Sequence, residues 1–280
     1  MASVKLSYSS MKELQSCETK YWHRKVNNTP PDEDYTPSES LGLGKAFHKV
    51  LEDFNHTGWN ESALIKAMGE FNCEEDDRGL LAVMLDKYLE FRKASGLKVV
   101  VCEFGIQTST YVGYCDAIAI EPSTKLWWIV DLKTTARHDP NLVPQLAKDM
   151  QIGLYSHFAG DIEATTPALE GYTFGGFRYC QVVKSKAQTL SGLQKGVKVF
   201  EMLIPSEVID TENSWRLFSE IHDRATDLNK GEAPRKNYSS CFTYFSPCQF
   251  FSKCHGNLFT KGNPKVQVLT IDNLNDGDLL

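Results

Sequence analysis

The spacing of apolar positions changes several times along the chain, and each change marks an element. Ser10 followed by Glu13 has the form of a capping box, and Leu14, Cys17 and Tyr21 then fall on one face, predicting a short helix that carries Cys17. The stretch from Pro30 to Ser40, rich in Pro, Ser and acid, predicts a surface loop. Gly42 and Gly44 lead into a second helix whose stripe is Phe47, Val50, Leu51 and Phe54, with His48 at its edge. Two more core-facing helices are predicted from Ala63 to Phe71 and from Leu80 to Leu89. Three segments rich in Val, Ile, Tyr, Trp and Thr follow, from Lys98 to Thr110, Tyr111 to Ile120 and Leu126 to Thr134, and predict consecutive strands. The turn-like Pro122-Ser123-Thr124-Lys125 separates the last two. A helix from Val143 to Phe158, strands from Tyr172 to Val183 and Val197 to Ile204, and a helix from Ser206 to Leu228 complete the pattern. Past Gly231 the chain turns to Pro, Ser, aromatic and Cys residues, and Asp272 to Leu280 is an acidic tail.

A chain of 280 residues can bury a full core, and one domain over residues 1–268 with a tail over 269–280 is expected. With 41% hydrophobic and 24% charged residues, the composition is that of a globular protein, not a disordered or collagenous one. No apolar run approaches the ~18 residues of a spanning helix, and the first residues lack the features of a secretory leader, so a cytoplasmic setting without membrane contact is expected. The formal net charge of -6 runs against phosphate binding by the surface as a whole. A local basic groove remains open at Lys20, Arg24 and Lys25, at Lys184 and Lys186, at Lys195 and Lys198, or at Arg235 and Lys236, as does the reading that these are scattered solvated charges. Of eight cysteines, Cys73, Cys102, Cys115 and Cys180 sit in ordinary helix or strand patterns and are expected to be small buried hydrophobes.

The chemistry concentrates around the turn at Ser123 and Thr124. If the flanking strands pair about that turn, opposed residue numbers sum to 247, which sets Asp116 opposite Asp131. On the second strand Trp127, Ile129, Asp131 and Lys133 alternate onto one face, with successive members about 6.6 Å apart. Opposed carboxylates repel, and a divalent cation is the natural compensation. A lysine two residues past such a ligand can orient or help deprotonate an attacking water and offset charge developing in the transition state. The tripeptide alone is weak, since Glu18-Thr19-Lys20 has the same form on a predicted helix. Context distinguishes Asp131-Leu132-Lys133: an apolar strand before it, Asp116 opposite, and Thr134 and Thr135 at the strand end. Gln151 and Tyr155, at i and i+4, share a helix face where they could position a DNA strand, brace Lys133, or form an ordinary polar edge. Glu103 is a further candidate acid whose register the sequence does not fix.

Gly113-Tyr114-Cys115-Asp116, then Ile129 through Thr135, then Gln151-Ile152-Gly153-Leu154-Tyr155 resemble motif II, motif III and the following Q-x-x-x-Y of RecB-type nucleases in the PD-(D/E)XK superfamily. Gly44-Lys45-Ala46-Phe47-His48 is similar to their upstream G-x-x-x-H. The resemblance implies an α/β, restriction-endonuclease-like core, a central mixed β-sheet flanked by helices. It also implies a phosphodiester hydrolase in which His48, Asp116, Asp131 and the Leu132 carbonyl hold Mg²⁺ or Mn²⁺ and Lys133 serves the water. The expected partner is DNA, single-stranded or at duplex ends. An exonuclease of recombination, repair or replication is the leading expectation, and a catalytically silent DNA-binding or assembly module on the same fold is the alternative. Compact size and the lack of a helicase P-loop resemble stand-alone phage members.

Relatives of the AddB nuclease and CRISPR spacer-acquisition type hold a 4Fe–4S cluster with one cysteine before the core and three after it. Cys17, Cys241, Cys248 and Cys254 have that layout, and the resemblance implies a Cys-bound C-terminal staple. Six residues separate Cys241 from Cys248 where those relatives usually have two, and neither this interval nor the five before Cys254 is the C-x2-4-C of common zinc sites. Zinc is the second choice and four unligated cysteines the third.

Overall fold

The computed structural model describes residues 4–33, 40–57, 61–243 and 246–255. Its helices are α1 (Tyr8–Ser16), α2 (Glu18–Tyr21), α3 (Ser40–Thr57), α4 (Glu61–Glu70), α5 (Asp77–Ser95), α6 (Val143–Leu146), α7 (Met150–His157), α8 (Ala159–Thr165), α9 (Leu190–Gly196), α10 (Thr211–Asn229) and α11 (Phe251–His255). Its strands are β1 (Lys98–Gln107), β2 (Val112–Glu121), β3 (Leu126–Thr135), β4 (Thr173–Val183), β5 (Lys198–Pro205), β6 (Phe242–Thr243) and β7 (Ser246–Pro247). The chain divides into two compact units, one of Met1–Met11 and Pro37–Arg224, the other of Lys12–Thr36 and Ala225–Leu280.

The first unit is a mixed sheet flanked by helices. The strands run in the order β1-β2-β3-β4-β5, with β3 and β4 parallel and the other neighbours antiparallel. A parallel pair cannot be joined by a tight turn, and α6, α7 and α8 lie within the crossover from β3 to β4. The β2–β3 register is the one set by the turn, with Ala117 opposite Val130 and Ile118 opposite Ile129. On one face Ala117, Ala119, Val130, Leu132, Cys180 and Val182 share a core with Phe47 and Val50 of α3, Leu64 and Met68 of α4, and Leu81, Leu85 and Tyr88 of α5. On the other, Tyr155 of α7 stacks on Phe177 at 6.2 Å, and Tyr111 stacks on Phe158. Cys115 and Cys180 are buried as expected, whereas Cys73 and Cys102 are half-buried.

Three sequence expectations are corrected. α1 starts at Tyr8, two residues before Ser10, because Ser7 Oγ accepts from the Ser10 amide. The helix expected from Val143 to Phe158 is broken, because Asp149 takes extended backbone and its carboxylate accepts from Gln151 N at 2.8 Å, starting α7 afresh. Ser206 to Val208 is a 3-10 turn, and α10 begins at Thr211.

In the second unit, the N-terminal and C-terminal segments are hydrogen-bonded together. Ser16 O accepts from Asn237 Nδ2 and Ser240 Oγ, both at 2.7 Å; Thr19 Oγ1 donates to Arg235 O; and Asp32 exchanges bonds with Gln249 and Ser252. Lys20 and Arg24 both reach the single carboxylate of Glu13. The acidic tail lies outside the described residues.

Candidate active site

β1 and β2 pair with Cys102 opposite Ala117 and Phe104 opposite Cys115, which places Glu103 beside Asp116 between those pairs. Glu103 takes a φ of 48°, left-handed backbone that costs a glutamate about 1–3 kcal/mol and is tolerated where the surroundings enforce it. α3 supplies the third group. One turn before His48, a Cβ on Gly44 would stand 2.9 Å from Thr134 Oγ1, so only glycine lets α3 come this close to the end of β3. Ligand atoms of His48, Glu103 and Asp116 all lie within 4.8 Å of one another. His48 Nδ1 is 3.2 Å from Asp116 Oδ1.

The β2–β3 ladder ends at Ala117 and Val130, one step short of the expected Asp116–Asp131 pair. Asp116 Oδ2 instead accepts from Leu132 N at 2.6 Å, its side chain standing in for a ladder partner. Asp131 is outside the His48–Glu103–Asp116 cluster. Its Oδ1 accepts from Lys133 Nζ at 2.9 Å, and its buried Oδ2 has no partner. Asp131 is 6% exposed, an expensive place for a half-satisfied carboxylate.

The electrostatics follow from burial and crowding. Burial pushes the Asp131 carboxyl up, to about 6, against the pull of Lys133 and with the push of Asp116. Glu103 is raised by burial and then by Asp116. Burial alone would lower His48, but the Asp116 hydrogen bond and charge raise it, and the same contact holds Asp116 below the usual carboxylate range despite burial. Burial opposes charge on Lys133 too, yet Asp131 and Asp116 raise it and keep it an ammonium.

Gln151 Nε2 donates to Tyr155 Oη, which donates to the Tyr114 carbonyl at 2.8 Å. Tyr155 is 3% exposed. The buried Tyr155 hydroxyl, committed to a β2 carbonyl, braces the strand that carries Asp116. Glu103 is the residue that sequence reasoning left outside, since only β1–β2 register could place it.

A groove of about 820 Å³ leads away from the cluster, lined among others by Lys45, His48, Glu103, Thr134 and Lys184. A second hollow of about 620 Å³ shares Ala136 and Lys184 with it and adds Lys186. Of the basic clusters noted in the sequence, Lys184 and Lys186 therefore line hollows beside the acids.

A sequence profile of the PD-(D/E)XK nuclease superfamily matches residues 5–255. No curated protein matches the chain. Among solved structures it is similar to SSO0001, at 13% identity over 80% of this chain and 91% of that one, with a TM-score of 0.28. It is also similar to a phage related exonuclease from Haemophilus somnus 129PT, at 12% identity over 81% of this chain and 96% of that one, with a TM-score of 0.29. Structural likenesses this weak carry no argument about function. No helix among the described residues is long and apolar enough to cross a membrane.

Proposed function

Because this chain belongs to the PD-(D/E)XK nuclease superfamily, we propose that it is a divalent-metal-dependent DNA nuclease built on His48, Glu103, Asp116, Asp131 and Lys133. The observation that carries the reading is the crowding of two acids and a histidine within 4.8 Å, beside a buried aspartate oxygen that lacks a partner. One imidazole nitrogen and hard carboxylate oxygens suit Mg²⁺ or Mn²⁺, and like charges this close are relieved by a cation. The donor set therefore fits the ion, which His48, Glu103 and Asp116 would hold, with Asp131 Oδ2 proposed as a further ligand. Bound there, the ion would supply Lewis-acid polarisation of a phosphoryl oxygen and a water of lowered pKa.

The remaining work falls to protein groups. Lys133, kept charged by its carboxylate neighbours, is a poor base and a good partner for negative charge building on the phosphoryl oxygens. Asp131 holds the Lys133 ammonium in place through their 2.9 Å contact. His48 fixes one Asp116 oxygen and the Leu132 amide the other, so that carboxylate has one orientation. Lys45, Lys184 and Lys186 line the hollows beside it, where a DNA backbone would run. Exonuclease action in recombination, repair or replication is the narrower form of this reading, tested by the loss of cleavage when linear DNA is replaced by a closed circle.

The same proposal extends to the cysteines. Cys17, Cys241 and Cys248 are near enough to Cys254 for their charges, after burial, to push its thiol up to about 11. Zinc at ~2.3 Å from each thiolate would set the sulfurs about 3.8 Å apart. Among the described residues the four thiols form no group within 4.8 Å, and the 4Fe–4S cluster is proposed on the one-plus-three layout of the cysteines along the chain.

To test the nuclease reading, Asp131→Ala and Lys133→Ala are compared with the unaltered protein on labelled single- and double-stranded DNA with Mn²⁺. Undiminished cleavage by either variant overturns it.

A further inference from the structure

Tyr114 is 63% exposed, an unusual position for a large ring in the middle of a sheet strand. Its register partner on β1 is Gly105, and a Cβ there would lie 3.2 Å from Tyr114 Cε1 and 3.6 Å from Cδ1. The ring therefore rests over the bare glycine backbone, closer than a Cβ at 105 would allow without a shift of a few tenths of an ångström. The main chain beneath is fixed as well, since Tyr155 Oη donates to Tyr114 O, and Gly113 packs against the rings of Tyr111 and Tyr155 with no room for a Cβ.

The Gly105–Tyr114 pair has a definite place relative to the acids. Asp116 is two residues along β2, so by strand alternation the ring and that carboxylate share a face, about 6.6 Å apart along the strand, and Glu103 lies within 4.8 Å of Asp116. That is roughly the reach of one nucleotide. An exposed tyrosine alone means little. A ring fixed from below by glycine, anchored through its own carbonyl and set one step from a phosphate-cleaving centre is suited to stack on a base. Bases within a duplex are covered by their neighbours, whereas an unpaired strand offers its faces freely.

We infer that Tyr114 is a stacking platform for an unpaired nucleobase next to the scissile phosphate, and that it biases the site toward single-stranded DNA or frayed ends. The inference rests on the nuclease reading for the position of the phosphate but has its own readout. Stacking on an aromatic ring tolerates any base, so the bias acts on strandedness and not on sequence.

The test compares the unaltered protein with Tyr114→Leu and Tyr114→Phe. Binding of fluorescent oligonucleotides, single-stranded and blunt duplex, is measured with Ca²⁺, and cleavage of the same DNAs with Mn²⁺. Thermal melts confirm that each variant is folded. The ratio of single-strand to duplex affinity is expected to fall about 5- to 100-fold in Tyr114→Leu and to be kept in Tyr114→Phe. The single-strand KM should rise in Tyr114→Leu, with a smaller change in kcat. An unchanged ratio in Tyr114→Leu, or an equal loss in Tyr114→Phe, overturns the platform. Absence of Mn²⁺-dependent cleavage by the unaltered protein overturns the nuclease reading instead, and the binding ratios then decide the platform by themselves.

Discussion

His48 Nδ1 stands 3.2 Å from Asp116 Oδ1, tying α3 to β2 at the head of the sheet. In the metal-free protein this contact is an ion pair when the imidazole is protonated. The imidazole is buried enough that, by itself, it would lose its proton below the ordinary value, and the Asp116 charge and hydrogen bond reverse that direction. An NMR titration should therefore find His48 above its usual 6.5 in the unaltered protein and below it in Asp116→Asn. The pair stabilises the fold fully below the unfolded value, and that contribution is lost as pH rises through the folded one. A His48 titration that ignores Asp116→Asn would show the contact is not formed in solution.

Metal binding should depend on pH for a related reason. Asp131 must be ionised to offer a free oxygen, and its carboxyl is pushed up to about 6 by burial. His48 must be neutral to ligate. Mn²⁺ affinity measured by calorimetry is thus expected to weaken as pH falls through about 6, with proton release on binding. Asp131→Asn should lower the affinity and remove the step near 6. A flat affinity from pH 5 to 8 argues against both ligands.

Gly44 and Thr134 make a separable test of geometry. Gly44→Ala favours the helix by about 1 kcal/mol yet sets a methyl 2.9 Å from Thr134 Oγ1, which pushes α3 and His48 away from β2. Cleavage is expected to fall about tenfold or more with no loss of thermal stability. Adding Thr134→Ala should recover most of it, and a double variant no better than the single one would break the link.

Arg178 tests the far end of the sheet. Its guanidinium is buried, bonds Glu121 at 2.8 Å and Glu201 at 2.9 Å, and lies over the Trp128 ring. Arg178→Met takes the shared cation from both carboxylates and should cost about 3 kcal/mol in urea denaturation at pH 7. Burial would raise Glu121, but Thr124 and Arg178 hold it below the usual value. Its contribution is therefore present above the unfolded carboxylate pKa and lost as pH falls through the folded one, so the gap between the proteins should narrow in acid.

The cysteine proposal has a direct readout. Protein prepared without oxygen should be brown, contain iron and sulfide in equal amounts, and lose both in Cys248→Ser. Colourless protein holding zinc would replace the cluster with the second choice.

Local chemistry made much of this molecule legible in its sequence. Alternation and β-branched content identified all five strands of the main sheet, and the symmetric turn at Ser123 and Thr124 fixed the β2–β3 register, because antiparallel pairing across a short loop leaves little freedom. Gly44, one turn before His48 in the sequence, proved to be the point where α3 comes close to Thr134. What lay beyond sequence was set by contacts between distant segments. Glu103 joined His48 and Asp116 through β1–β2 register and an unusual φ, neither of which a periodic pattern encodes. Asp116 bonded the Leu132 amide where alternation alone set it opposite Asp131, because the ladder stops at Ala117 and the freed side chain takes a backbone partner. Tyr155 turned its hydroxyl to a strand carbonyl because α7 packs on that sheet face, a choice made by tertiary burial and not by the i, i+4 spacing that first drew attention to it.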